Sequence, residues 1–148
     1  MLSRRLPLSL VVLPTEVNTD IAGHLAATSE RPMDDLRSLR ATCREMRRVC
    51  KNAAVGRRVA LERFAVELQW NDRKGHDALL DCLTRIRNPE ACFLSGMDIL
   101  FGENYSSRSS ISKLEEAAQA GHIVAAYVAA MVLYRANGGA GDDDTARR

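Results

Sequence analysis

An internal similarity restricts the fold of this chain more than any other feature. The segment Ala91-Cys92-Phe93-Leu94-Ser95-Gly96-Met97-Asp98-Ile99 can be laid on Ala125-Ala126-Tyr127-Val128-Ala129-Ala130-Met131-Val132-Leu133 at an offset of 34 residues. Ala91 matches Ala125 and Met97 matches Met131; the other positions keep their aromatic, aliphatic or small character, except Asp98 against Val132. A period near 34 is that of a helix-turn-helix repeat, a unit that cannot bury its apolar face alone and therefore stacks on its neighbours. Small residues let paired helices approach closely, and Phe93 and Tyr127 are expected to fill the gaps between repeats. Between the two segments, Ser112-Lys113-Leu114-Glu115 has the capping-box pattern and is expected to open a helix carrying Leu114, Ala117 and Ala118. Gly121 ends that helix, because glycine takes the left-handed conformation without a Cβ penalty. The next helix starts at once with His122, so the two fold back as an antiparallel hairpin.

The rest of the chain also reads as helical. Ala, Arg and Leu dominate, and β-branched residues never form an alternating run. A first helix is expected just after Pro14, with Val17, Ile21 and Leu25 as its apolar face. A polar loop follows from Thr28 to Asp35. A second helix, capped by Asp34 or Asp35, carries Leu36, Leu39, Cys43, Met46 and Cys50 on one stripe. A third is expected from about Ala53 to Leu68, through Val55, Val59 and Phe64, with Gly56 as a weak point. Leu79, Leu80, Leu83 and Ile86 mark a short amphipathic helix, and Asn88-Pro89 starts a new unit. The predicted fold is all-α, a small helical bundle followed by antiparallel helix-hairpin repeats. Its parts are a flexible N-terminus (1–9), the bundle (10–66), a connecting helix (67–87), the repeat region (88–136) and a disordered Gly- and Asp-rich tail (137–148). Solenoids usually need about three repeats. Either the array is a fragment or the helices around Trp70 to Ile86 complete the stack, and the sequence leaves both open.

Chemistry is hard to place on this chain. It has no P-loop, no dinucleotide-binding glycine pattern, no G-x-S-x-G and no H-E-x-x-H, so no catalytic residues are assigned. Cys43, Cys50, Cys82 and Cys92 form no C-x-x-C pair and His24, His76 and His122 are scattered, so neither a metal site nor a cofactor is expected. Cys43 and Cys50 stand two helical turns apart, too far to bridge, and read as small apolar residues in a reducing compartment. Arg4 and Arg5 before the apolar run Leu6 to Leu13 imitate a signal peptide. Pro14-Thr15-Glu16 stands where a small-residue cleavage site belongs, and the expectation is a nuclear or cytoplasmic protein that is not secreted. No segment approaches the roughly 20 apolar residues that span a membrane. Between Arg37 and Arg58 lie eight basic residues and one acidic one, Glu45. That stretch raises nucleic acid as a partner, but no aromatic residue is interleaved to stack on bases, and it reads first as a solvated helix face.

Leu13-Pro14-Thr15-Glu16-Val17, then Ile21, Leu25, Asp35-Leu36, Leu39-Arg40 and Cys43-Arg44, resemble the plant-type F-box, which begins L-P-x-E and reaches a D-L-x-x-L-R-x-x-C-[KR] helix. The resemblance covers about residues 10 to 55. It departs from the family in a longer loop between Leu25 and Asp35, in Met46 where tryptophan is common and in Thr42 where valine is common. It implies docking on a Skp-type linker protein, and through it on a cullin and a RING subunit, with Leu13, Pro14, Val17, Ile21, Leu36, Leu39, Cys43 and Met46 as linker-binding residues. The segment Glu116 to Tyr127 is similar to the A-A-x-x-G-H-x-x-A-x-Y core of Sel-like repeats, relatives of the tetratricopeptide repeat. There Ala117, Ala118, Gly121, His122, Ala125 and Tyr127 are structural, with His122 capping or packing. Together the resemblances imply a non-catalytic substrate-receptor or adaptor subunit of a Skp-cullin-F-box ubiquitin ligase, with a protein substrate held by the repeats. The alternatives are a stand-alone helical-repeat scaffold and a basic nucleic-acid-binding helical protein.

Overall fold

A computed structural model describes residues 10–62, 71–102 and 107–137. Among them every regular element is helical: a short 3-10 turn, Leu10–Val12, and eight α-helices. These are α1 (Thr15–Thr28), α2 (Pro32–Thr42), α3 (Arg44–Val49), α4 (Ala53–Arg57), α5 (Arg73–Arg85), α6 (Pro89–Phe101), α7 (Ser107–Gln119) and α8 (Ile123–Asn137). The chain divides into two compact units between Ala60 and Leu61.

In the first unit α1 packs against α2, α3 and α4. The face it turns inward is Asn18, Ala22, Gly23 and Ala26. This corrects the expected face: Val17 and Ile21 are exposed and Leu25 is half-buried. The bulky core side chains come instead from Leu36, Met46, Val49 and Val55 of the other helices. Small residues on α1 let those short helices come close. A Cβ on Gly23 would meet Arg58 Cδ at 2.8 Å.

The single helix expected through Cys43 is two. Cys43 is extended (φ −158°, ψ 170°), and its Sγ accepts the Met46 N–H at 3.4 Å, so it ends α2 and caps α3. Thr42 Oγ1 helps close α2 by donating to the Leu39 carbonyl at 2.7 Å. The break turns the chain, so that Leu36 of α2 and Met46 of α3 are both buried. Neither Asp34 nor Asp35 caps α2, which starts earlier at Pro32; both sit in its first turn, where carboxylates favour the helix dipole. The helix expected over 53–68 ends at Arg57, and Ala60 N donates to the Ala26 carbonyl at 3.2 Å. Phe64 and Leu68 lie outside the described residues, as do 1–9 and the tail from 138.

Among the described residues the second unit shows a pair of matched hairpins. α5 packs on α6, α6 on α7 and α7 on α8. The helix expected as a connector is therefore half of a repeat. The 34-residue offset holds for both helix starts, from Arg73 to Ser107 and from Pro89 to Ile123. It also holds for the turns. Arg87 has φ +61° and Gly121 has φ +94°. Arg87 N donates to the Thr84 carbonyl (3.0 Å) and Asn88 N to that of Leu83 (2.9 Å); Gly121 N donates to Ala118 (2.9 Å) and His122 N to Ala117 (3.0 Å). This crossed pair is the Schellman motif. The side chain after each left-handed residue then caps the next helix, Asn88 Oδ1 accepting from Ala91 N at 3.0 Å and His122 Nδ1 from Ala125 N at 3.1 Å. The expected capping box at Ser112 is corrected, since α7 already runs from Ser107 and Ser112 lies inside it.

The two turns predict opposite responses. Gly121→Ala should lower stability by about 1 kcal/mol, the cost of a Cβ in the left-handed region. Arg87→Gly should relieve the same strain and raise stability by a smaller amount, up to about 1 kcal/mol, because glycine loses more entropy on folding. Thermal unfolding followed by circular dichroism measures both.

Candidate protein-binding surfaces

The linker-binding residues inferred from sequence separate into two groups. Leu13, Pro14, Val17 and Ile21 are exposed on α1 and the turn before it, whereas Leu36 and Met46 are core. Leu39 and Cys43 are half-buried. Leu36 and Met46 therefore cannot present themselves to a partner without opening the unit, which corrects their assignment as contact residues. Two residues that sequence reasoning missed join the exposed group, Leu10 (37% exposed) and Val12 (80%). The apolar run before Pro14 was their signal.

Asn18 holds this surface in shape. It is wholly buried on the inward face of α1, and its Nδ2 donates to the carbonyls of Leu10 (2.9 Å) and Leu13 (3.4 Å). Leu13 N also donates to the Leu10 carbonyl at 3.3 Å. The 3-10 turn is thereby fastened to α1, and the exposed Leu10, Leu13, Val17 (42%) and Ile21 (40%) belong to one ordered turn and helix. At the edge of α1, Thr15 Oγ1 donates to Glu45 Oε1 at 3.2 Å and Arg58 pairs with Asp20 at 3.5 Å.

The basic stretch is divided among α2, α3 and α4 by the breaks in the chain. Arg37 pairs with Asp34 and Arg48 with the half-buried Glu45 at 3.7 Å each; both arginines are exposed, and such pairs carry small energetic weight.

In the second unit Cys92, Leu114, Ala117, Ala125 and Ala129 form the core, with Phe93, Met97, Ala118 and Val128 packed against it. The repeat motif falls into place around them. Ala117 and Ala125 are buried, Ala118 is half-buried and Gly121 makes the turn. His122 both caps α8 and stacks on Phe93, with ring centroids 4.5 Å apart and planes 23° from parallel. Tyr127 corrects its expectation: it is 67% exposed and fills no gap. With Ile123, Val124, Met131 and Tyr134 it forms an outward apolar surface on α8.

Cys92 Sγ lies 3.9 Å from both the Thr84 carbonyl and Glu116 Oε2. Burial pushes its thiol pKa up, and the Glu116 carboxylate adds to the shift. Burial also raises the Cys50 thiol, against the opposing charge of Arg40. All four cysteines are free thiols. Among the described residues no three His, Cys, Asp or Glu side chains converge as a metal site, and no helix is long and apolar enough to cross a membrane. What the arrangement offers chemically is apolar surface on ordered helices.

A family model of plant tetratrico peptide repeats matches residues 62–147, more than half of the chain. No curated protein and no solved structure matches it.

The raised Cys92 pKa has a consequence for stability. A thiol whose pKa is higher in the folded state stabilises it below the ordinary thiol range, and that contribution is lost as pH rises through the folded value. The urea midpoint should therefore fall between about pH 8 and about pH 10. Cys92→Ala, the residue found at the equivalent Ala126, should make that fall shallower.

Proposed function

The chain belongs to the plant tetratrico peptide repeat family, and from that premise we propose that it is a non-catalytic adaptor, joining a protein substrate held by its repeats to a ubiquitin ligase. The ligase half of this reading draws on the resemblance of residues 10 to 55 to the F-box. The observation that carries it is the apolar surface of Leu10, Leu13, Val17 and Ile21, held in order by Asn18 and facing outward. Fully burying an apolar side chain of that size contributes about 1.5–3 kcal/mol. Each of these is 37–42% exposed, so covering what remains adds roughly 1 kcal/mol each, enough together to support a protein contact. A Skp-type linker is the proposed occupant, bringing a cullin and a RING subunit with it. The adaptor then works by effective concentration, with the bond-making on other subunits. Free thiols throughout fit a reducing nucleus or cytoplasm.

A stand-alone repeat scaffold is the second reading. It is favoured by the extent of the family match, which covers the repeat unit and stops short of the helices α1 to α4.

Capture by an immobilised Skp-type linker separates the two. Val17→Asp and Ile21→Asp change exposed positions, so each should keep its helicity and lose capture by about tenfold or more, the effect of a charge at a contact centre. Leu36→Asp buries a charge in the core and serves as the misfolding control. Failure of the parent chain to be captured, or capture unchanged in both surface variants, removes the ligase reading and leaves the scaffold.

A further inference from the structure

We infer that the outward face of α3, carrying Arg44, Arg47 and Arg48 with Lys51 just beyond it, binds a short acidic segment of a partner protein. The inference concerns the first unit alone and does not depend on the ligase reading.

The four side chains stand at i, i+3, i+4 and i+7, one stripe of a helix. All four are exposed, and Met46 and Val49, on the opposite side, are buried. Arg40, exposed in the last turn of α2, adds a fifth cation close by, since its charge is felt by Cys50 at the end of α3. Glu45 is the one carboxylate on α3; it accepts from Thr15 of α1 and pairs with Arg48. Among the described residues Arg40, Arg44, Arg47 and Lys51 pair with no carboxylate.

Folding does not account for this arrangement. Like charges three and four positions apart weaken a helix, and this helix has only six residues. A solvated face requires polar side chains, not four of one sign.

The charge is also local. Residues 10–60 hold nine basic and six acidic side chains. Five of the basic ones and one of the acidic ones are in this cluster, which leaves four basic and five acidic over the rest of that range. A basic site in a faintly acidic surround suits a short anion and disfavours a polyanion that extends past it. The stripe is about 10 Å long at 1.5 Å per residue, roughly the span of three residues of extended peptide. Arginine forks suit carboxylates, which they bind with two parallel hydrogen bonds. Nucleic acid fits less well, because residues 10–60 contain no Phe, Trp or Tyr to stack on bases.

The probe is a fluorescein-labelled peptide, Gly-Ser-Glu-Glu-Glu-Glu-Ser-Gly, titrated with the full chain at about 50 mM salt and read by anisotropy. It should bind saturably, and the same peptide with glutamine for glutamate should not. Arg44→Gln combined with Arg47→Gln should weaken binding about tenfold. Arg31→Gln combined with Arg37→Gln removes equal charge from exposed positions outside the stripe and should change binding by less than about twofold. No saturation, or equal losses in the two double variants, overturns the assignment. So does tighter binding of a DNA duplex of about 12 base pairs that the Arg44 and Arg47 changes abolish, since nucleic acid would then be the occupant. Thermal unfolding guards against a structural explanation. Removing the repulsion should leave the melting temperature of the Arg44→Gln and Arg47→Gln variant unchanged or higher. A lower one would show that these arginines serve the fold and would also overturn the assignment.

Discussion

The repeat unit depends on one backbone conformation, the left-handed residue between the helices of each hairpin. With Gly121 or Arg87 in that region, two crossed hydrogen bonds satisfy the last carbonyls of the leading helix. The chain is then turned so that the following residue can cap the next helix with its own side chain. Without the left-handed step the second helix would leave in another direction, and the apolar stripes of α7 and α8 would not meet. His122 makes a second link. Its Nδ1 caps α8 while its ring stacks on Phe93 of the preceding hairpin. A local cap and a contact between repeats therefore reside in one side chain, which gives a physical reason for histidine after glycine at this turn.

The first unit solves a different problem, since four helices of unequal length must cover a core with few large residues. The extended Cys43 does most of this by bending the chain between α2 and α3. Leu36 and Met46, ten positions apart in sequence, can then enter one core from different helices. Asn18 contributes from α1. A buried amide is costly unless bonded, and its Nδ2 donates to the carbonyls of Leu10 in the 3-10 turn and of Leu13 just after it, while its Oδ1 has no partner. A polar residue in a small core thus fixes where the N-terminal turn lies.

What could be read from the sequence follows from this. The 34-residue period was legible because both hairpins repeat the same packing, and Gly121 and Pro89 announced their own positions. Arg87 gave no signal, because arginine in the left-handed region is set by its equivalence to Gly121 and not by preference. The break at Cys43 was hidden by a perfect 3-4-3-4 apolar spacing, which fits one helix as well as two that are bent toward one core. Ser112 imitated a capping box inside α7 because the pattern is short and the helix continues upstream. The contact surfaces were half legible. Leu13, Val17 and Ile21 are exposed as a binding surface requires, but Leu36 and Met46 share their apolar character and are core. Hydrophobicity alone does not tell a side chain that holds the fold from one that meets a partner.

α1 and α8 failed the sequence reading in the same way, and the reason bears on function. Each is apolar on more than one side, so periodicity does not select the buried face. In both, the buried positions are held mostly by small residues, Ala22, Gly23 and Ala26 on α1 and Ala125 and Ala129 on α8, with Val128 packed beside them. Several of the larger ones are exposed, Val17 and Ile21 on α1 and Tyr127, Met131 and Tyr134 on α8. Judged by the stability of the isolated chain this is the weaker choice, because burying alanine removes far less apolar surface from water than burying isoleucine or tyrosine. It gains in two other respects. Small inward residues bring helix axes close and fix their spacing, and the larger side chains remain available for contacts outside the chain. Scattered exposed apolar residues need no explanation, but an ordered set on each of two rigid helices does. The distribution of side-chain size on α8 therefore agrees with the repeat family, whose helices offer apolar surface for protein contacts.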